Sequence, residues 1–224
     1  MRLAALCSGG KDSSYALWLA SKESHEIAWL VTMIPEREDS WMFHYPNIHL
    51  MDLFAECSDL PLIKGETKGV KEQEVGDLKA NLSELEIDGV ISGAVASTYQ
   101  KERIEQVCKE LGLTSITPLW NQNLLGLLQD MLESGFEVII TSASAEGLNE
   151  EWLGRRIDNE CIQDLKELHE DFGINPAGEG GEYETLVLDA PFFKKRINLI
   201  KTRKIWKIDS GRLLVEKAET LEKA

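Results

Sequence analysis

Ser8-Gly9-Gly10-Lys11-Asp12-Ser13 sets two hydroxyls, two glycines, an ammonium and a carboxylate in consecutive positions. Gly9 and Gly10 let the backbone approach an anion with no side chain in the way. Ser8, Ser13 and the amides that open a following helix donate hydrogen bonds, and Lys11 adds a full positive charge. Such a turn is suited to hold phosphate. Its spacing is neither that of a Walker A loop nor that of the dinucleotide fingerprint. A plain Gly-Gly strand-to-helix turn with a surface lysine is the competing account; the strand-turn-helix context of all six residues favours phosphate.

A second constellation lies far down the chain. Gly178-Glu179-Gly180-Gly181-Glu182-Tyr183-Glu184-Thr185 holds three glycines and three carboxylates in eight residues, just after Asn175-Pro176-Ala177. Crowded acids repel one another unless a cation, a donor or a substrate amine lies between them. One reading is a substrate loop in which Glu179, Glu182 and Glu184 bind a cation or act as general base. The other is a solvated acidic turn in an acidic protein, and composition alone leaves both open.

The elements that must position these residues follow from patterning. Leu3 to Cys7 reads as a buried strand, Ser13 to Ser21 as a helix, and His25 to Pro35 as a strand containing Met33. Glu36 to Tyr45 reads as an irregular aromatic loop that could cover a ligand, Ile48 to Cys57 as helix, Pro61 to Ile63 as a short strand, and Lys71 to Leu85 as an amphipathic helix. Asp88 to Ala94 is a strand ending at Gly93, Tyr99 to Leu111 a helix, and Ser115 to Thr117 a fifth strand. Alternation of this kind predicts an α/β fold, a Rossmann-like parallel sheet of five strands whose ligand edge is the C-terminal one. Gly9, Met33 and Gly93 fall on that edge, and Tyr99, Gln100 and Arg103 open the helix that leaves it.

Past Trp120 the pattern becomes a smaller α+β unit, so the expected division is 1–120 for a phosphate-binding domain and 121–224 for a substrate domain carrying the acidic loop. Helices are expected over Asn123 to Ser134 and over Leu148 to Phe172, the second broken near Asp158, with a strand at Phe136 to Thr141 between them. Strands follow at Thr185 to Leu188, Ile197 to Lys201, Arg203 to Asp209 and Arg212 to Lys217, with Ser210-Gly211 as a hairpin turn and Lys217 to Ala224 as a frayed tail.

Composition bounds the function. Charged residues at 28% and apolar ones at 43% describe an ordinary globular chain. A net charge of −15 argues against direct, nonspecific binding to nucleic acid or an anionic membrane. Cys7, Cys57, Cys108 and Cys161 form no C-x-x-C pair, and His25, His44, His49 and His169 have no ligand spacing. Without a signal pattern or an apolar run near the roughly 18 residues of a membrane span, the expected location is the cytoplasm. Oligomeric state is left open, a homodimer included.

The first turn resembles the PP-loop, SGGxDS, of enzymes that split ATP between its α- and β-phosphates. SGGKDSSYAL from Ser8, SGAVASTYQKERIEQVC from Ser92, TPLW from Thr117, EGLNEEWLGRRID from Glu146 and NPAGEGGEYETLVLDAPFF from Asn175 together resemble the diphthine–ammonia ligase (diphthamide synthase) family of ATP pyrophosphatases. The compact form resembles the archaeal members, the eukaryotic ones carrying further C-terminal domains.

The resemblance implies amidation of diphthine, a modified histidine of translation elongation factor 2, through an acyl-adenylate that ammonia resolves. It implies ATP held by Ser8, Gly9, Gly10, Lys11 and Ser13; by position at the ligand edge, not by the resemblance, Met33, Gly93, Tyr99, Gln100 and Arg103 could reach the nucleoside, with ordinary helix-surface residues as the favoured account of the last three. Asp12 is implied as the Mg2+ ligand and Lys11, Glu182 and Glu184 as catalytic groups. The loop Gly178, Glu179, Gly180, Gly181, Glu182, Tyr183, Glu184 and Thr185 is implied for diphthine and ammonium, with the Tyr183 ring face beside the trimethylammonium group. Two alternatives share the turn: an adenylating enzyme acting on a tRNA base, disfavoured by the charge, and a non-catalytic ATP or AMP sensor.

Overall fold

The computed structural model describes residues 1–36, 47–68 and 73–223. They form two compact units, Met1–Trp120 and Asn121–Ala224. The aromatic loop expected at Glu36 to Tyr45 lies outside the described residues from position 37 on, as do Lys71 and Glu72 of an expected helix.

The first unit is a parallel sheet of β1 (Arg2–Leu6), β2 (Glu26–Pro35), β3 (Leu62–Thr67), β4 (Gly89–Ile91) and β5 (Thr114–Ile116), in the order β3-β2-β1-β4-β5. Helices α1 (Lys11–Lys22), α2 (Met51–Ser58), α3 (Gln73–Ser83) and α4 (Thr98–Leu111) connect them. The expected Rossmann-like α/β class is the observed one. Strands buried on both faces need continuous apolar sequence, and Leu3, Ala4 and Ala5 are fully buried. Ala4, Val31, Met33 and Val90 pack against Leu78 and Leu82 of α3 and Ile104, Val107 and Cys108 of α4. From β1 the chain runs to β2 and β3 on one side and then crosses to β4 and β5 on the other. The loops after β1 and β4 therefore leave the same edge at a topological switch point, where such sheets bind ligands.

The second unit holds α5 (Leu124–Glu133), α6 (Asn159–Phe172) and an antiparallel sheet of β6 (Glu137–Ala143), β7 (Tyr183–Asp189), β8 (Lys195–Lys207) and β9 (Ser210–Glu222), in the order β7-β6-β9-β8. Four expectations are corrected here. The stretch before Asp158 is not α-helix: after a 3-10 turn at Glu150–Trp152 the chain lies beside β6, with Ile140 N donating to Arg155 O (2.9 Å) and Ile157 N to Val138 O (2.9 Å). Asp158 then caps α6, its Oδ1 accepting from Cys161 N.

The two strands expected between Ile197 and Asp209 are one, and the hairpin turn is Ile208-Asp209, since Lys207 pairs with Ser210 and Trp206 with Gly211. Gly211 is a close-approach position inside β9, where a Cβ would collide with the Trp206 ring. The tail expected to fray is paired as far as Glu222, which lies opposite Lys195, and Lys223 Nζ meets Asp189. Cross-strand hydrogen bonds outweigh the poor strand propensity of its Lys and Glu residues.

The buried cysteines give the fold a pH dependence. Burial pushes the Cys161 thiol up to about 12 and the Cys108 thiol up to about 11, from an ordinary 9.0. The unfolded chain releases these protons above about pH 9 while the folded chain keeps them. Their stabilisation is therefore complete below that pH and is lost as pH rises towards the folded values, at ~1.4 kcal/mol per unit for each thiol. The urea midpoint should fall between about pH 8 and pH 10, and the fall should be shallower in a Cys108→Ala, Cys161→Ala protein; an equal fall in both proteins would refute the assignment.

Candidate active site

The phosphate-type turn spans the end of β1 and the start of α1. Cys7 N donates to Val31 O (3.0 Å) and Thr32 Oγ1 donates to Cys7 O (2.7 Å), so β2 fixes the point at which the chain leaves the sheet. Gly9 then takes φ +79°, a left-handed conformation that glycine adopts without strain. Gly10 is the residue before the helix and supplies no side-chain cap, which leaves the first-turn amides of α1 as donors on a positive helix end.

Within the turn, Ser8 N donates to Ser13 Oγ (3.3 Å), Gly10 N to Ser8 Oγ (3.4 Å) and Ser13 Oγ to Gly10 O (3.2 Å). These contacts lie at or beyond the long end of hydrogen-bond geometry, so exchanging them for phosphate oxygens costs little. Ser14, which sequence reading passed over, locks the turn by donating from Oγ to Gly10 O at 2.7 Å.

Lys11 is 3% exposed, and its Nζ lies 2.7 Å from Asp12 Oδ2. A buried ammonium in the first turn of a helix opposes the helix dipole, and a bound anion relieves that opposition. Asp12 Oδ1 is buried with no hydrogen-bond partner. A hard, unpartnered carboxylate oxygen at a phosphate cradle is a donor that suits Mg2+, which takes one or two carboxylates and completes its shell with phosphate and water. The open-amide cradle suits a polyphosphate. The turn therefore fits both groups that the resemblance implies.

The loop after β4 meets this turn backbone to backbone. A Cβ on Gly93 would lie 2.5 Å from Ser13 N and 2.7 Å from the carbonyl carbon of Asp12. Ser92 beside it is buried, with its Oγ unpartnered, a second orphan at the same edge. Ser97 caps α4 through Gln100 N, placing Tyr99, Gln100 and Arg103 in the helix's first turns. The Arg103 guanidinium stacks over the Tyr99 ring at 5.0 Å, and Tyr99 packs on the core of the first unit. Met33 is a buried core residue whose sulfur faces Gly65.

The acidic loop of the second unit is organised by one of its own acids. Glu182 Oε1 accepts from Asn175 N (2.9 Å) and Oε2 from Gly180 N (2.8 Å). Both oxygens of a group expected to act as base are thus engaged by backbone amides. Ser144, also passed over, donates from N to Glu182 O (2.8 Å) and from Oγ to Gly181 O (2.7 Å), tying the loop to β6.

Gly178 at φ +74° and Gly181 at φ +84° take the left-handed turns the path requires. The Tyr183 ring is 2% exposed and its Oη donates to Pro176 O at 2.7 Å, so it is not presented to a ligand cation. That corrects the cation–π role expected of it: Tyr183 holds the loop from beneath. Glu179, Glu184 and Thr185 are half-buried, and Glu184 pairs with Ser142 of β6. Among the described residues no cluster of three metal-ligating side chains occurs, and no helix is long and apolar enough to cross a membrane.

Family comparison agrees with both units. The diphthamide synthase N-terminal domain matches residues 1–115 and the diphthamide synthase C-terminal domain residues 123–221. The diphthine–ammonia ligase of Rattus norvegicus is 40% identical over 220 residues, covering 88% of this chain and 82% of that protein. The Homo sapiens ligase is 38% identical with the same coverage. The Schizosaccharomyces pombe ligase is 38% identical over 89% of this chain, which spans 36% of that protein's length. The expected contrast with longer eukaryotic members therefore holds for the yeast protein and fails for the mammalian ones.

Two substitutions test this geometry. Gly93→Ala should cost about 1–3 kcal/mol in urea denaturation, because its new methyl group meets backbone that cannot rotate away; a cost near zero would show that the β4 loop does not rest on α1. Glu182→Gln keeps one acceptor and turns an amide donor towards the other N–H. It should speed hydrogen exchange at Asn175 and Gly180 about tenfold, a loss of ~1.4 kcal/mol in local stability. Unchanged exchange would remove Glu182 from its positioning role.

Proposed function

The chain belongs to the diphthamide synthase family, and we propose that it is an ATP-dependent ligase forming the amide of diphthamide from ammonia and the diphthine carboxylate of translation elongation factor 2. The observation that carries this reading is that the family's two halves match both units, with the phosphate turn intact in one and the acidic glycine loop in the other. A carboxylate oxygen of diphthine bonds to the α-phosphorus of ATP as the bond to the bridging oxygen breaks, giving an acyl-adenylate and pyrophosphate. Ammonia then bonds to the acyl carbon, AMP leaves with the electron pair, and the surplus proton passes to a carboxylate or to water.

Each residue role follows from its chemistry. The amides of Gly9 and Gly10, the hydroxyls of Ser8 and Ser13 and the ammonium of Lys11 face charge that develops on the phosphoryl oxygens. Mg2+, when bound, neutralises part of that charge, and Asp12 Oδ1 is the oxygen that would hold it. Gly93 keeps the β4 loop close to α1, and Tyr99, Gln100 and Arg103 lie towards the nucleoside. In the acidic loop, Glu179 and Glu184 are the candidates for the cationic diphthine side chain or for the ammonium proton, while Glu182 and Tyr183 shape the loop around them.

Incubated with ATP, Mg2+, ammonium and diphthine-bearing factor, the protein should convert carboxylate to amide, with AMP and pyrophosphate formed in equal amounts. Release of ADP, or AMP formation independent of the factor, would sink the reading. Asp12→Asn should lower kcat roughly 100-fold or more while leaving the urea midpoint within about 1 kcal/mol of wild type, the scale for loss of one preorganised charge contact.

A further inference from the structure

The chain is strongly acidic, yet its cations are not evenly spread. Residues 194–212 contain Lys194, Lys195, Arg196, Lys201, Arg203, Lys204, Lys207 and Arg212, eight of the 24 Lys and Arg residues, against one acid, Asp209. They lie along β8 and the tip of its hairpin with β9. Some of this charge is answered locally, since Lys201 and Arg203 share the single carboxylate of Glu216 and Arg196 meets Glu137. Lys204 donates to a carbonyl oxygen, that of Glu150, which leaves its charge uncompensated by that contact.

The tip itself is unusual. Ile208 takes the first position of a two-residue hairpin turn and is 101% exposed. An isoleucine exposed to this degree buries no apolar surface against its own fold.

Strand register joins this tip to the acidic loop. Glu184 pairs with Ser142, Ser142 with Arg212, and Arg212 with Ile205, so one row crosses β7, β6, β9 and β8. Directly paired residues point to one face, and all four are half-buried. At the usual strand spacing, Glu184 and Arg212 are about 10 Å apart, and Ile205 lies about 5 Å further. Arg203, Lys207 and Leu214 share this face by alternation. Leu213 and Val215, on the opposite face, are each 3% exposed and form the core side. This half-buried face therefore carries a carboxylate at one end and a basic, apolar strip at the other.

We propose that the strip formed by Arg203, Ile205, Lys207, Ile208 and Arg212 docks an acidic polypeptide segment of the protein substrate, next to the site where Glu184 meets the cationic side chain to be modified. The proposal rests on the reading of a protein acceptor. The pattern of negative then positive charge along one row complements a polypeptide that carries a cationic side chain flanked by acids. A nucleic acid matches it poorly, because its uniform negative charge meets both Glu184 and the field of a chain at −15. Ile208 adds an apolar anchor that a partner would bury.

Direct binding separates this proposal from the catalytic one. The affinity of the 224-residue chain for purified diphthine-bearing factor should weaken about tenfold or more in Lys207→Glu, Ile208→Ser and fall with added salt, whereas Lys166→Glu, at an exposed position of α6, should bind as wild type. In turnover, KM for the factor should rise by the same ratio with kcat at saturation and KM for ATP unchanged. Equal affinity in wild type and the hairpin variant, no measurable binding by wild type, or an RNA affinity lost in the variant with factor binding intact would overturn the docking surface. Absence of amide formation by a wild-type protein that still binds the factor through the hairpin would instead defeat the proposed reaction and leave the docking surface standing.

Discussion

The contact between Gly93 and the first turn of α1 is the constraint on which the phosphate-type site depends. β1 and β4 are neighbours in a parallel sheet, so the segments leaving them compete for the same space at the C-terminal edge. A side chain at position 93 would push the two apart, and the amides of Asp12 and Ser13 would no longer open onto the edge beside Ser92. Glycine there removes the obstacle, and the backbone of one loop becomes the wall of the other. The unpartnered Asp12 Oδ1 and Ser92 Oγ make physical sense at such a place: a buried polar atom without a partner costs stability unless a ligand supplies one.

The second unit solves a different problem. A loop of glycines and glutamates has high conformational entropy and repelling charges, and needs internal bonds to hold one shape. Glu182 supplies two of them through a charged acceptor, and Ser144 anchors the same segment to β6. The buried Tyr183 hydroxyl on Pro176 O closes the loop from below. One acid is thus consumed in ordering the loop that carries the other two. This division explains how three carboxylates are held close together in one ordered loop.

The charge distribution has a parallel logic. A strongly acidic chain stays soluble and avoids polyanions, but its long-range field also repels acidic proteins. Cations gathered on one hairpin, in excess of the acids Asp209, Glu216, Glu219 and Glu222 that share it, set a local charge opposite to the overall sign. Cross-strand pairs to Glu216 and Glu137 hold the hairpin's stem, and the tip beyond them retains an exposed isoleucine and Lys207.

Much of this was legible in residue order. The strand-turn-helix at Ser8 to Ser13 was legible because its pattern is local: glycines, hydroxyls and a helix start lie within six residues. The parallel sheet was legible too, since runs buried on both faces alternate with amphipathic helices. Local pattern failed where hydrogen bonds to distant strands decide conformation, as in the extended stretch beside β6, the full-length β9 and the turn at Ile208-Asp209. It could not tell that Glu182 is spent on the amides of Asn175 and Gly180, or that the Tyr183 ring points inward. Nor could it bring Glu184 and Arg212 onto one row. A period of two says which residues share a face within a strand, but which strand lies alongside, and in what register, is decided only when the sheet assembles.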